Sequence, residues 1–374
     1  MEEPRQTRRS VVSAIETGSR ELPDPRRYGA GDTHHPFNQL TEHELRCELS
    51  TALSARRDDE IHAALRAAPS REAYAQLWPA VCDAAHHAGS EASEAAVVAR
   101  IFALPLVIIT GSRRPASLPG VIPDIIAVKT LLEKHGALGR TLNFGLSNAL
   151  CSLETIEQVK PSEIYAWAAT AEGVRRELAP AAIELTEPGE RVHLRFLVGA
   201  GIAPASEPSF VETASNIGAW GMALTRALAA QLGQPGIEVL PLARAPIDLL
   251  RAGHAGRVAQ LDTAFSLFVS NAVRRFRSAT GDPVAVISAH DDSEIRVSFS
   301  SLFDDSMVEG FRWPLHPLDG IDSIVASITS LLDECRITDV RCASALLPPL
   351  NAHGQTWYVT AREANATKII PLRH

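Results

Sequence analysis

Thr110-Gly111-Ser112-Arg113-Arg114 is the segment whose residue types come nearest to a binding chemistry. Backbone amides of Gly111 and Ser112, joined by the guanidinium groups of Arg113 and Arg114, suit a phosphate or a carboxylate where a strand hands over to a helix. The loop follows an apolar run that reads as a strand, and the carboxyl end of such a strand is a common ligand location. Its spacing is neither GxxxxGK[ST] nor GxGxxG, and Pro115 and Pro119 stiffen it. A solvated connection needs the same residues, and that plainer reading is preferred because loops of this kind imply sites only loosely.

The remaining candidates are read the same way. Val198-Gly199-Ala200-Gly201-Ile202-Ala203 carries a GxG after a strand, but lacks the third glycine of a dinucleotide loop, so it reads as a bland glycine-rich loop. His34-His35 and His86-His87 are adjacent pairs; adjacent side chains diverge on a helix, whereas ligands to one metal sit three or four residues apart. His290-Asp291-Asp292 and Asp304-Asp305 suit turns better than acid–base pairs, and the second lacks a calcium-loop spacing. There is no G-x-S-x-G and no H-E-x-x-H. Arg274, Arg275 and Arg277 form a dense basic cluster at a helix end, where cations complement the dipole. Nucleic-acid binding there is the lesser reading, since few aromatics stand ready to stack bases.

Composition narrows the field. The 374 residues hold 36 basic and 44 acidic side chains, a net charge of −8. That balance argues against general attraction to nucleic acid or anionic membrane. Hydrophobic residues make up 45% and aromatics only 5%, so the core must be mostly aliphatic. Cys47, Cys82, Cys151, Cys335 and Cys342 are odd in number, widely spaced and free of CxxC, which predicts reduced, mostly buried thiols in the cytosol and no structural zinc. Residues 1–27 lack the apolar stretch of a signal peptide. The apolar run Ile101–Ser112 is too short to span a bilayer, which takes about 20 residues.

The elements that must position these residues follow from periodicity. Residues 1–40 read as a flexible tail. Residues 41–100 read as helices, opened by the capping box Thr41–Glu44 and by Ser70, with a third helix from Glu91 to about Arg100. Strands and helices then alternate: a strand at Leu104–Thr110, a helix over Ile122–His135 ended by Gly136, strands at Arg140–Leu146 and Arg191–Val198, helices from Pro161 to about Leu178 and from Ala214 to Leu232, and a strand at Gly236–Leu240. A long helix over Arg257–Arg277 buries Val258, Leu261, Phe265, Phe268, Ala272 and Phe276. Antiparallel strands follow at Pro283–Ser288, Glu294–Ser301 and Ser306–Trp313, then a helix over Ile321–Cys335 and closing strands at Asp339–Cys342 and Thr356–Thr360. The expected class is α/β or α+β, with a 1–40 tail, a 41–100 helical subdomain, a 101–242 α/β half, and a 243–374 half holding the antiparallel hairpins.

Glu294-Ile295-Arg296-Val297-Ser298-Phe299, Gly310-Phe311-Arg312-Trp313-Pro314-Leu315 and Ile337-Thr338-Asp339-Val340 resemble, mainly over 283–342, an uncharacterised bacterial family known as a domain of unknown function. Leu104-Pro105 and the elements after it match it loosely. The resemblance implies a cytosolic α/β fold and no activity. Members carry a Cys-bearing segment near the C-terminus; residues 343–374 contain no cysteine, so no metal ligands come with the resemblance. With no catalytic motif, the expectation is a non-enzymatic protein-binding, assembly or adaptor protein. It would need no cofactor or metal and would not insert in a membrane. The alternatives are a small-anion enzyme or sensor using Gly111, Ser112, Arg113 and Arg114, and nucleic-acid binding through Arg274, Arg275 and Arg277.

Overall fold

The structure, a computed structural model, describes residues 41–86, 97–111, 117–118, 120–139, 141–170, 183–184, 192–204, 217–240, 245–290, 293–302, 307–343, 346–351, 353–366 and 370–371. The described residues fall into two compact units, divided between Thr263 and Ala264. Both mix helix and strand, as expected of the α/β or α+β class.

The first unit opens with helices α1 (Glu42–Ser54), α2 (Asp58–Arg66) and α3 (Arg71–His86). The expected capping box is present: the Thr41 amide donates to Glu44 Oε2 at 2.9 Å, and the Glu44 amide donates back to Thr41 Oγ1 at 3.4 Å. The Ser70 hydroxyl accepts from the Ala73 amide at the start of α3. Leu49, Leu53, Ile61, Leu77 and Val81 are buried, the aliphatic stripe that makes these segments amphipathic. These helices belong to the same unit as the sheet that follows.

That sheet is built on β1 (Val97–Thr110). After it come β2 (Ser117–Leu118), α4 (Ile125–Lys134), β3 (Leu142–Cys151), α5 (Leu153–Glu157), α6 (Pro161–Thr170), β4 (Ile183–Glu184), β5 (Val192–Pro204), α7 (Ile217–Leu232), β6 (Ile237–Val239), β7 (Ile247–Asp248) and α8 (Leu249–Ala279). The strand order is β3-β5-β1-β6, with β7 also on β1 and every pairing antiparallel. Phe102, Leu104 and Leu106 pack with Val128 and Leu132 of α4 and Leu224 and Leu228 of α7. Ile101, Ala103 and Val107 alternate to the other face and are also buried. Gly136, at φ +59°, takes the left-handed turn that stops α4.

Two expectations are corrected here. Val97–Arg100, expected to end a helix, instead begin β1; residues 87–96 lie outside the described residues. Val198–Ala203, read as a glycine-rich loop, lie inside β5. Glycine is required at 199 for contact rather than for a turn. A Cβ there would lie 2.5 Å from the Phe102 ring and 2.7 Å from the Gly145 carbonyl oxygen.

The second unit takes the latter half of α8, then β8 (Val284–His290), β9 (Glu294–Ser300), β10 (Val308–Pro314), α9 (Ile321–Glu334), β11 (Val340–Cys342), α10 (Ala361–Ala366) and β12 (Ile370–Pro371). The order is β10-β9-β8-β11-β12. β8, β9 and β10 form the expected antiparallel meander, and β11 returns parallel to β8 after the α9 crossover. Phe265 of α8 meets Phe311 at 5.2 Å and Trp313 at 6.0 Å, and Phe268 stacks on Phe299. Phe265, Ala272 and Phe276 are buried as expected, whereas Val258, Leu261 and Phe268 are half-buried. No strand forms over Thr356–Thr360; apart from a single bridge at Thr356, that stretch bonds elsewhere. Among the described residues no helix is long and apolar enough to cross a membrane.

Candidate functional site

At the end of β1, the Gly111 amide donates to the Gly236 carbonyl at 2.8 Å, tying this strand end to the turn before β6. Ser112, Arg113 and Arg114 lie outside the described residues. Behind Gly111, Thr110 Oγ1 and His193 Nε2 stand 3.1 Å apart, both buried. Arg195, two residues along the same face of β5, donates to the Leu194 carbonyl at 2.7 Å. The register pairs Gly199 with Phe102 and Gly201 with Arg100. At about 3.4 Å per residue, Gly199 and Gly201 therefore sit roughly 30 Å or more along the sheet from Gly111. Gly111 itself therefore shares no pocket with Gly199 and Gly201.

The basic cluster of α8 is engaged internally. Arg275 makes a two-pronged pair with Glu309. Arg277 Nε donates to Asp282 at 2.7 Å, and Arg274 donates to the Asn271 side chain at 2.8 Å. His86 is buried with Nδ1 2.8 Å from the Cys82 carbonyl, a bond within the last turn of α3. His34, His35, His87, Asp291, Asp292, Asp304 and Asp305 lie outside the described residues. Among the described residues no three His, Cys, Asp or Glu side chains gather as metal ligands.

The first unit holds a cleft of about 460 Å³ lined by Arg56, Asp58, Gln158, Lys160, Glu163 and Trp167, among others. The helix start facing it is already satisfied. Asp58 accepts from the Ser162 amide at 2.9 Å and from its hydroxyl at 2.5 Å, while Glu163 accepts from the Lys160 amide. The N–H groups that would attract an anion are thus taken.

Among the described residues, the densest set of chemically capable side chains is one that sequence reasoning missed. β9 alternates Glu294, Arg296, Ser298 and Ser300 with Ile295, Val297 and Phe299. The apolar set faces the α8 aromatics. The polar set is buried too, together with Ser288 and His290 of β8, which pair with Arg296 and Glu294 across the ladder. His290, expected in a turn, is the fully buried last residue of β8. Its Nδ1 donates to the Pro348 carbonyl at 2.8 Å, and its Nε2 stands 2.9 Å from the Ser288 hydroxyl. Glu294 pairs with Arg296 and accepts from Arg312 at 2.8 Å. Burial pushes the Glu294 carboxyl up, but the bonds from Arg312 and Arg296 prevail and hold it below the usual range.

The covering layer is built from residues 347–351 and 353–361. Arg296 Nη1 donates to the carbonyls of Pro349 at 2.8 Å and Trp357 at 2.6 Å. Ser298 Oγ donates to the Val359 carbonyl at 2.6 Å, and Ser300 Oγ accepts from the Ala361 amide at 2.7 Å. The Arg296 guanidinium lies 5.7 Å from the centre of the Tyr358 ring. That ring occupies the place a side chain at Gly310 would fill. The only legible trace of this layer was the two-residue polar alternation of β9, which ordinarily marks a solvent face.

No family model, no curated protein and no solved structure matches this chain.

Proposed function

We propose that this chain is a non-enzymatic protein-binding, assembly or adaptor protein of the bacterial cytosol. One observation carries the reading. The side chains best suited to chemistry, Ser288, His290, Glu294 and Arg296, are buried and bonded to the chain's own carbonyls and to one another. Catalysis needs such groups aimed at a concave space that admits substrate, and here that space is filled by residues 347–351 and 353–361. Exposed apolar side chains supply contact surface instead: Ile126 on α4 is 73% exposed and Met222 on α7 is 45% exposed.

The test is capture from a lysate of the native host with the full chain as bait, followed by mass spectrometry. The expected result is a discrete partner whose recovery falls with Ile126→Glu and Met222→Glu together, or with deletion of residues 1–40, while the unfolding midpoint stays within about 2 °C of the parent. Recovery that none of these changes affects would remove both surfaces from the reading.

A small anion at Gly111, Ser112, Arg113 and Arg114 is the second reading, favoured by the buried Thr110–His193 pair behind Gly111. It expects phosphate or a nucleotide to raise the melting temperature, and Arg113→Ala with Arg114→Ala to abolish the rise.

A further inference from the structure

The bonds between β9 and its cover share a register. Arg296 holds Trp357, Ser298 holds Val359 and Ser300 holds Ala361, each pair 61 residues apart in sequence. Two chains that stay in step over successive alternate residues must rise at the same rate, so residues 357–360 run extended and parallel to β9, up to the start of α10 at Ala361. They lie across the face of the strand rather than beside its edge, because side chains of β9, not its backbone, make the bonds. What those side chains grip is backbone: carbonyls of 349, 357 and 359 and the amide of 361. Backbone groups are common to every peptide, so this floor recognises an extended chain with little regard to its sequence. One position is selective. Gly310 leaves a flat recess that Tyr358 fills, with the Arg296 cation near the same ring.

We propose that the polar face of the second-unit sheet is a docking groove for an extended, aromatic-bearing peptide of a partner protein, and that residues 357–361 are its tethered competitor. The inference rests on the protein-binding reading and adds to it a further site, with the partner's chemistry. A tethered segment presents itself at an effective concentration far above that of a free peptide, so the free peptide binds weakly until the segment leaves. Aligned parallel to β9, the incoming chain would place an aromatic residue over Gly310 and give its carbonyls to Arg296 and Ser298.

The experiment uses the full chain and a fluorescent synthetic peptide with the sequence of residues 355–363. Tyr358→Ala weakens the tether and leaves the floor intact. The peptide is expected to bind Tyr358→Ala at least tenfold more tightly than the parent, and adding Arg296→Ala with Ser298→Ala should abolish the gain. Equal affinities for the parent and for a folded Tyr358→Ala would overturn the proposal. A second measurement needs no variant. In the parent, hydrogen exchange at the Ala361 amide should run at least a hundredfold faster than at the β9 amides, because the segment must open while the sheet persists. Exchange of Ala361 and β9 at one common rate would make the segment a permanent layer and sink the idea, even if the variant failed to fold. In that event a partner still captured from lysate would leave the protein-binding function standing. Peptide binding with no lysate partner would support the groove and count against the broader function.

Discussion

His290 shows how little a residue's type says without its neighbours. Followed by Asp291-Asp292, it reads as a turn, yet it closes β8 with both ring nitrogens bonded. What decides its role is the Pro348 carbonyl, 58 residues away, and no local pattern announces that partner. Glu294 is similar, and it carries a pH prediction. Its folded-state pKa is lowered. The stability it contributes is therefore present above the unfolded glutamate value of roughly 4.3 and is lost as pH falls through the folded value. Glu294→Gln should flatten the acid limb of a stability–pH curve measured by urea unfolding. It should also cost about 3–5 kcal/mol at neutral pH, because buried Arg296 loses its counter-charge. An acid limb unchanged by the substitution would show that other carboxylates govern it. The thiols were more legible. All five are free, Cys47 is exposed and Cys82 is buried. Burial pushes Cys151 up to about 11 and Cys342 up to about 12. A thiol reagent at pH 8 should modify Cys47 first and reach Cys82, Cys151 and Cys342 only as the protein unfolds, with five thiols reacting in denaturant. Fast native labelling of Cys342 would contradict its placement.

At the scale of elements, capped helices announced themselves and the direction of the central strands did not. The Thr41–Glu44 box, the Ser70 cap and the Gly136 stop are local chemistry, so their positions were readable. Leu104–Thr110 was rightly read as a strand, and it is buried on both faces. That burial usually accompanies parallel strands, but here an antiparallel β1 is covered on both faces, and periodicity does not encode strand direction. The meander of β8, β9 and β10 was readable because polar turn residues separate its strands. Two substitutions test the packing of elements. Phe265→Ala should cost about 3–5 kcal/mol by chemical denaturation, since its ring lies between α8 and the Phe311–Trp313 surface of β10. Asp58→Ala should cost about 2–3 kcal/mol, because Asp58 caps α6 from another helix and its loss leaves the Ser162 amide unpaired in a buried setting. An effect below half a kcal/mol in either case would mean that the contact forms without contributing to stability.

For the whole molecule, charge is the property the sequence states most directly. With 44 acidic against 36 basic residues, and with Arg275 and Arg277 facing Glu309 and Asp282, the chain should pass a heparin or DNA column without salt-dependent retention. Retention that scales with salt and disappears on replacing Arg274, Arg275 and Arg277 would revive the nucleic-acid reading. Packing works at the same scale through a repeated device that no single segment reveals. Gly199 lies against the Phe102 ring, Gly256 against the Phe196 ring and Gly310 against the Tyr358 ring, and each glycine's missing methyl is the space its ring occupies. Glycine to alanine at any of these positions should cost about 1–3 kcal/mol. Each glycine and its ring form one packing unit, in which a larger residue at one position calls for a smaller one at the other. Among descendants of this sequence, a side chain gained at 256 should arrive together with a smaller residue at 196. Gly256→Ala combined with Phe196→Leu should recover part of the loss that Gly256→Ala causes alone. The ancestry of this fold would then be traceable through paired exchanges of size, even where individual residues have become unrecognisable.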